Sequence, residues 1–94
     1  MEKSIYSRDY QVMLRLLREA RIESGLTQVE LATRLKLTQS LLSKIERGDR
    51  RLDLAELRSF CRAIGIGLIE FVGRVERELT KRSGLVEAPR RKST

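Results

Sequence analysis

The 94-residue sequence predicts a single all-α domain of five helices. Two observations carry that prediction. Aromatic residues make up only 4% of the chain, so the core must be built from Leu, Ile, Val and Ala, which suits packed helices better than a sandwich or barrel. Gly25, Gly48, Gly65 and Gly84 each follow a stretch with helical apolar spacing, where a helix stop needs a left-handed residue. The length suits one modest core and is too short for two ordinary domains.

The first helix is predicted over residues 9–24, with Tyr10, Met13, Leu14, Leu17 and Ala20 on its buried face, three and four residues apart. A capping box opens the second: Thr27 stands three residues before Glu30, giving a helix over 28–35. Thr38 is the N-cap of a third over 39–47. Asp53 and Glu56 repeat the capping box and open a fourth over 54–64, which would bury Leu54, Leu57, Cys61 and Ile64. A fifth follows over 68–82, and Phe60 and Phe71 read as core. Helices two and three span only about two turns each, too short to be stable alone, so the others must hold them. The expected organisation is an N-terminal arm over 1–8, a helical domain over 9–82 and a disordered basic tail over 83–94.

The net charge is +7, and its placement is informative. Residues 34–51 carry Arg34, Lys36, Lys44, Arg47, Arg50 and Arg51 against Glu46 and Asp49, a local +4. Residues 81–94 hold a second basic cluster of Lys81, Arg82, Arg90, Arg91 and Lys92 against Glu87. Focused positive charge of this kind suits a polyanion partner. With no His, no cysteine pair, no Gly-rich phosphate loop and no clustered carboxylates, the chain offers no metal site, no cofactor site and no common acid-base constellation. An enzyme is not expected. Stacking on single-stranded RNA is poorly supplied, with only Tyr6, Tyr10, Phe60 and Phe71 as aromatics.

The lone Cys61 excludes an internal disulfide framework and fits a reducing cytosol, and a buried thiol there would be unreactive rather than a redox sensor. The longest apolar-or-glycine run, residues 63–69, is far short of the ~20 residues of a membrane span. The N-terminus lacks the apolar stretch of a signal peptide. A cytoplasmic protein is expected.

The third helix can be oriented from its own residues. At about 100° per residue from Thr38, Leu42 falls near 40°, Ile45 near 340° and Glu46 near 80°. Gln39, Ser40, Ser43, Lys44 and Arg47 fill an arc from about 100° to 240°. That arc faces away from the core and mixes amides and hydroxyls with long bases, a combination suited to phosphates and base edges. Glu46 lies beside the buried Leu42 and Ile45 instead. A partly buried carboxylate needs a partner, for which Arg21 is the candidate; the alternative is a solvated Glu46 pairing loosely with Arg50.

Residues 16–66 closely resemble the phage-repressor-like (Xre-type) helix-turn-helix family. The marks are Arg21 before Gly25-Leu26-Thr27-Gln28, then Glu30-Leu31-Ala32, then Ser43-Lys44-Ile45-Glu46-Arg47-Gly48, then Arg62-Ala63-Ile64-Gly65-Ile66, in that order and spacing. The resemblance implies a DNA-binding regulator whose second helix braces the third in the major groove of double-stranded DNA. By position, Gln28 matches a phosphate-contacting glutamine. Thr38, Gln39, Ser40 and Lys44 match sites that meet base edges or nearby phosphates, and Arg47 matches a backbone-contacting site. With Ser43 on the same arc and Arg50 and Arg51 in the following loop, these form the candidate DNA-binding set. Arg21 and Glu46 match the family's interior ion pair.

Departures from the family pattern also matter. The turn between helices two and three usually carries Gly where this chain has Lys36, so the turn either holds a strained lysine or takes another shape. The proline often found before the fourth helix is replaced by Arg50-Arg51-Leu52-Asp53. Leu41, on the flank of the reading arc, either closes over the second helix or packs on a thymine methyl.

The fifth helix runs longer than the resemblance requires. Leu68, Val72, Val75 and Leu79 form an apolar stripe that would serve a homodimer, unless it folds back on the first helix. A two-fold dimer would set two reading helices ~34 Å apart and require a roughly palindromic operator. Gly73 inside this helix costs about 1 kcal/mol against Ala, so either a close helix contact compensates or the helix breaks there. Two function classes follow: a dimeric DNA-binding regulator acting as a repressor, or a protein-binding module such as a toxin-neutralising antitoxin, whose DNA binding is secondary.

Overall fold

The first helix starts at Ser7, whose hydroxyl accepts the backbone N–H of Tyr10 at 3.1 Å and so satisfies one of the free donors of the first turn. The computed structural model describes residues 7–83 and folds them into α1 (Arg8–Glu23), α2 (Gln28–Leu35), α3 (Gln39–Arg47), α4 (Leu54–Ile64) and α5 (Leu68–Ser83), with no strand among the described residues. The expected all-α class and its five helices are present. Gly84, the N-terminal residues 1–6 and the tail from 84 onward lie outside the described residues.

Both capping boxes form reciprocally. Thr27 Oγ1 accepts the Glu30 N–H at 3.0 Å while Glu30 Oε1 accepts the Thr27 N–H at 2.9 Å. Asp53 Oδ1 accepts the Glu56 N–H at 2.7 Å and Glu56 Oε1 accepts the Asp53 N–H at 3.0 Å. At the other ends, Gly25, Gly48 and Gly65 take positive φ, as their places after apolar-periodic runs require. Lys36 does the same at φ 61°, ψ 39°, so of the two shapes open to the α2–α3 turn the chain adopts the strained left-handed lysine.

The core gathers Leu17 and Ala20 of α1, Leu31 and Ala32 of α2, Leu42 and Ile45 of α3, Leu57, Phe60, Cys61 and Ile64 of α4, and Phe71 of α5. Full burial of a Leu or Ile contributes about 1.5–3 kcal/mol, so Leu42 and Ile45 together hold a nine-residue helix that could not persist alone. α1 packs on both α5 and α3, which spreads its burial beyond one stripe: Val12 is buried at 4% exposure, whereas Tyr10 and Met13 are half-buried. Gly48 marks the α1–α3 contact, where a Cβ would lie 3.2 Å from Leu14 Cδ1 and 3.3 Å from Gln11 Nε2.

Leu54 departs from its expected burial and is 68% exposed. It is the residue immediately after the Asp53 cap, so it sits at the helix tip ahead of the core that Leu57 and Phe60 reach. Within the chain, Gly73 fits neither expectation. α5 runs unbroken through it, and a Cβ there would meet only the flexible Arg77 guanidinium at 3.4 Å.

Candidate nucleic-acid interface

α3 turns one face into the core and the opposite face to solvent. Leu42 and Ile45 are 0% and 1% exposed, while Gln39, Ser40, Lys44 and Arg47 are exposed and Ser43 is half-buried. Thr38 caps the helix by accepting the Leu41 N–H at 3.0 Å, which fixes where Gln39 and Ser40 leave the turn. Leu41 is half-buried against the core and lines a cavity of about 200 Å³ with Leu35 and Leu37 of α2 and its turn. It therefore closes toward the second helix, the first of its two expected positions.

Beneath this face lies a polar network. Arg21 Nε donates to Glu46 Oε2 at 2.7 Å and Arg21 Nη2 to Glu46 Oε1 at 3.1 Å, with both side chains at most 10% exposed. The remaining Arg21 Nη1 donates to the Leu26 carbonyl at 2.8 Å, tying the end of α1 to the start of α2. The paired acid faces inward, and Arg50 is engaged elsewhere. One bidentate contact of two hydrogen bonds plus a carbonyl acceptor satisfies charges that would be costly to bury alone.

The network extends to the surface through residues whose connection the spacing alone did not reveal. Gln28 Nε2 donates to Glu46 Oε1 at 2.9 Å, and Gln39 Nε2 donates to Gln28 Oε1 at 3.3 Å. Gln28, at the first position of α2, thus spans from the interior ion pair to the first residue of α3. Seventeen intervening residues separate Gln28 from Glu46 in sequence, so only the helix-turn-helix packing brings them together.

The cations divide into two groups. Lys44 and Arg51 are exposed and have no ion-pair partner among the described residues. Arg47 donates to Asp49 Oδ2 through Nε at 3.1 Å and to Ser43 Oγ through Nη1 at 2.8 Å. Arg50 donates to Glu56 Oε2 through Nη2 at 2.8 Å and to the Arg51 carbonyl through Nη1 at 3.2 Å. The Arg50 hydrogen bond, joined by the Asp53 N–H, holds the Glu56 carboxyl below its ordinary range, and Glu56 raises Arg50 in turn. Within the expected set, Gln39 is bonded to Gln28 and Arg47 to Ser43, while Thr38, Ser40 and Lys44 are exposed on α3 and its cap and Arg50 and Arg51 on the adjoining loop.

The stripe expected on α5 is divided. Leu68 and Val75 pack against the core, Leu79 is half-buried, and Val72 is 45% exposed. Ile69, not singled out by the four-three-four spacing, is 89% exposed. Val72, Val75 and Leu79 border an open apolar groove with Tyr10, Met13 and Leu57. Cys61 is fully buried, and that burial pushes its thiol above the ordinary value. Among the described residues no group of His, Cys, Asp and Glu could hold a metal ion, and no helix is long and apolar enough to cross a membrane.

A short bracing helix, a tight turn and a second short helix with a polar outer face define a helix-turn-helix domain. The helix-turn-helix family model matches residues 17–71, and the chain belongs to the Xre-type, phage-repressor-like branch of these DNA-binding transcriptional regulators. An XRE-family like protein from Pseudomonas syringae pv. tomato str. DC3000 is 46% identical over 74% of this chain and 85% of its own, with a TM-score of 0.70. The wild-type restriction-modification controller protein C.Esp1396I is 25% identical over 80% and 97% of the two chains, with a TM-score of 0.73. The clp gene regulator ClgR from C. glutamicum is 26% identical over 73% and 90%, with a TM-score of 0.66. No curated protein matches the chain.

Proposed function

We propose that the chain is a sequence-specific regulator that binds double-stranded DNA as a homodimer, represses transcription, and recognises a roughly palindromic operator. The carrying observation is the two-sidedness of α3, with Leu42 and Ile45 sealed in the core and Gln39, Ser40 and Lys44 outward. Amides, hydroxyls and one unpaired ammonium are the groups that read base edges in a major groove. Gln28, held between Glu46 and Gln39, and the caps Thr27 and Thr38 lie where α2 and α3 would meet the phosphates on either side.

Relatives support the regulatory reading, since the structures similar to this chain include a restriction-modification controller protein and a clp gene regulator. The exposed Val72, which borders the apolar groove with Val75 and Leu79, and the exposed Ile69 on the same helix support pairing of two copies. Repression follows if a dimer on its operator simply obstructs the promoter. Sedimentation at increasing concentration, paired with gel-shift titration of duplexes enriched from a random pool, tests the reading. A dimer that shifts a symmetric duplex as one complex supports it, and a monomer on an asymmetric half-site removes the dimeric part.

A further inference from the structure

Arg47 and Arg50 are each held by a carboxylate at the edge of the proposed DNA surface, while Lys44 and Arg51 are free of one. The four cations against Asp49 and Glu56 leave this face with half of its nominal positive charge. We propose that Asp49 and Glu56 act as internal stand-ins for DNA phosphates, keeping Arg47 and Arg50 oriented while suppressing sequence-independent binding. This inference rests on the reading of α3 and the following loop as the DNA-facing surface.

The geometry has the two parts such a device needs. Each guanidinium has one contact that positions it and one that can be exchanged. Arg47 is positioned by Ser43 Oγ on the outer arc of α3, and Arg50 by the Arg51 carbonyl. Their carboxylate contacts, at 3.0 and 2.8 Å, have the length and acceptor chemistry of a phosphate contact. Glu56 is itself pinned, because its other oxygen accepts the Asp53 N–H at 3.0 Å. When the arginine turns to a phosphate, that acid stays behind, close to a polyanion.

Electrostatics then sets the direction. An unpaired arginine attracts any phosphate regardless of sequence, which strengthens binding everywhere. A paired arginine must give up its acid first, and the released acid is repelled by the DNA. With only Lys44 and Arg51 left unpaired, the surface depends more on Gln39 and Ser40 for its affinity, groups that are rewarded by matching bases. Stability is a poor explanation for these pairs. The side chains are 56% and 57% exposed for Arg47 and Asp49, and 42% and 36% for Arg50 and Glu56, where ion pairs contribute little.

The test is fluorescence anisotropy of the full chain on a random-sequence duplex across a range of salt concentrations, using Asp49→Asn and Glu56→Gln. Each substitution should raise affinity about three- to tenfold per bound protomer near 0.1 M salt and steepen the log-log salt slope by about 0.9. In an Arg47→Ala background the gain from Asp49→Asn should shrink; a gain retained in full would mean simple charge removal and would overturn the pairing role. Unchanged affinity and slope in both acid variants, while Arg47→Ala and Arg50→Ala weaken binding, would also overturn the proposal. If neither arginine variant weakens binding, the interface reading itself fails and this inference falls with it. Asp49→Asn, whose side chain caps no helix, keeps the test decisive if Glu56→Gln lowers the melting temperature.

Discussion

Arg21 and Glu46 meet side by side across α1 and α3, Nε to Oε2 at 2.7 Å and Nη2 to Oε1 at 3.1 Å, almost wholly out of water. Removing one partner of such a pair leaves an uncompensated buried charge, which costs about 3–5 kcal/mol. Glu46→Ala should therefore lower the melting temperature sharply. It should also free Gln28, which loses its acceptor. A mutant melting like the parent would show that the pair holds nothing together.

Lys36 occupies a left-handed conformation that costs a residue with a Cβ about 1–2 kcal/mol. Its side chain is exposed and unpaired among the described residues, so little is lost by deleting it. Lys36→Gly is expected to raise the urea midpoint by the equivalent of about 1 kcal/mol, after the larger chain entropy of glycine is set against the relieved strain. A lower midpoint would mean that the lysine stem packs on the turn.

Gly73 lies inside an unbroken helix with only the end of Arg77 near its missing Cβ. Gly73→Ala should stabilise the fold by about 1 kcal/mol in chemical denaturation at low protein concentration. If the same change instead destabilises the protein in proportion to its concentration, a second chain packs closely against this position.

Cys61 is sealed in the core, and desolvation raises its thiol above the unfolded value. A thiol reagent should react slowly with the native protein and at once in denaturant. The linked effect on stability has a definite sign. It is fully present below the unfolded thiol value and is lost as pH rises through the folded one. Fast native labelling would contradict the burial.

Much of this fold was legible because its signals are local. Thr27 with Glu30 and Asp53 with Glu56 each declare a helix start within four residues, and both boxes form. The orientation of α3 was equally legible, since nine residues on a 100° wheel leave Leu42 and Ile45 one way to face. Leu54 misled because periodicity does not record where along a helix the core begins. Val12 was missed because α1 has neighbours on two sides, which a single stripe cannot express. The pairing of Gln28 with both Glu46 and Gln39 depends on how separate helices dock, and that of Arg50 with Glu56 on the path the loop takes into α4. No spacing rule encodes that.

In the proposed mode of binding, the outer arc of α3 reads bases while the loop after it holds phosphates. Selection of bound duplexes from a random pool, run in parallel with the parent chain, Lys44→Ala and Arg50→Ala, tests it most directly. The parent should enrich one symmetric motif; Lys44→Ala should lose preference at matched positions in both halves, at a cost of about 1–3 kcal/mol in discrimination. Arg50→Ala should keep the motif and bind every sequence more weakly with a shallower salt dependence. No enriched motif, or equal effects of both changes on every sequence, would contradict the claim.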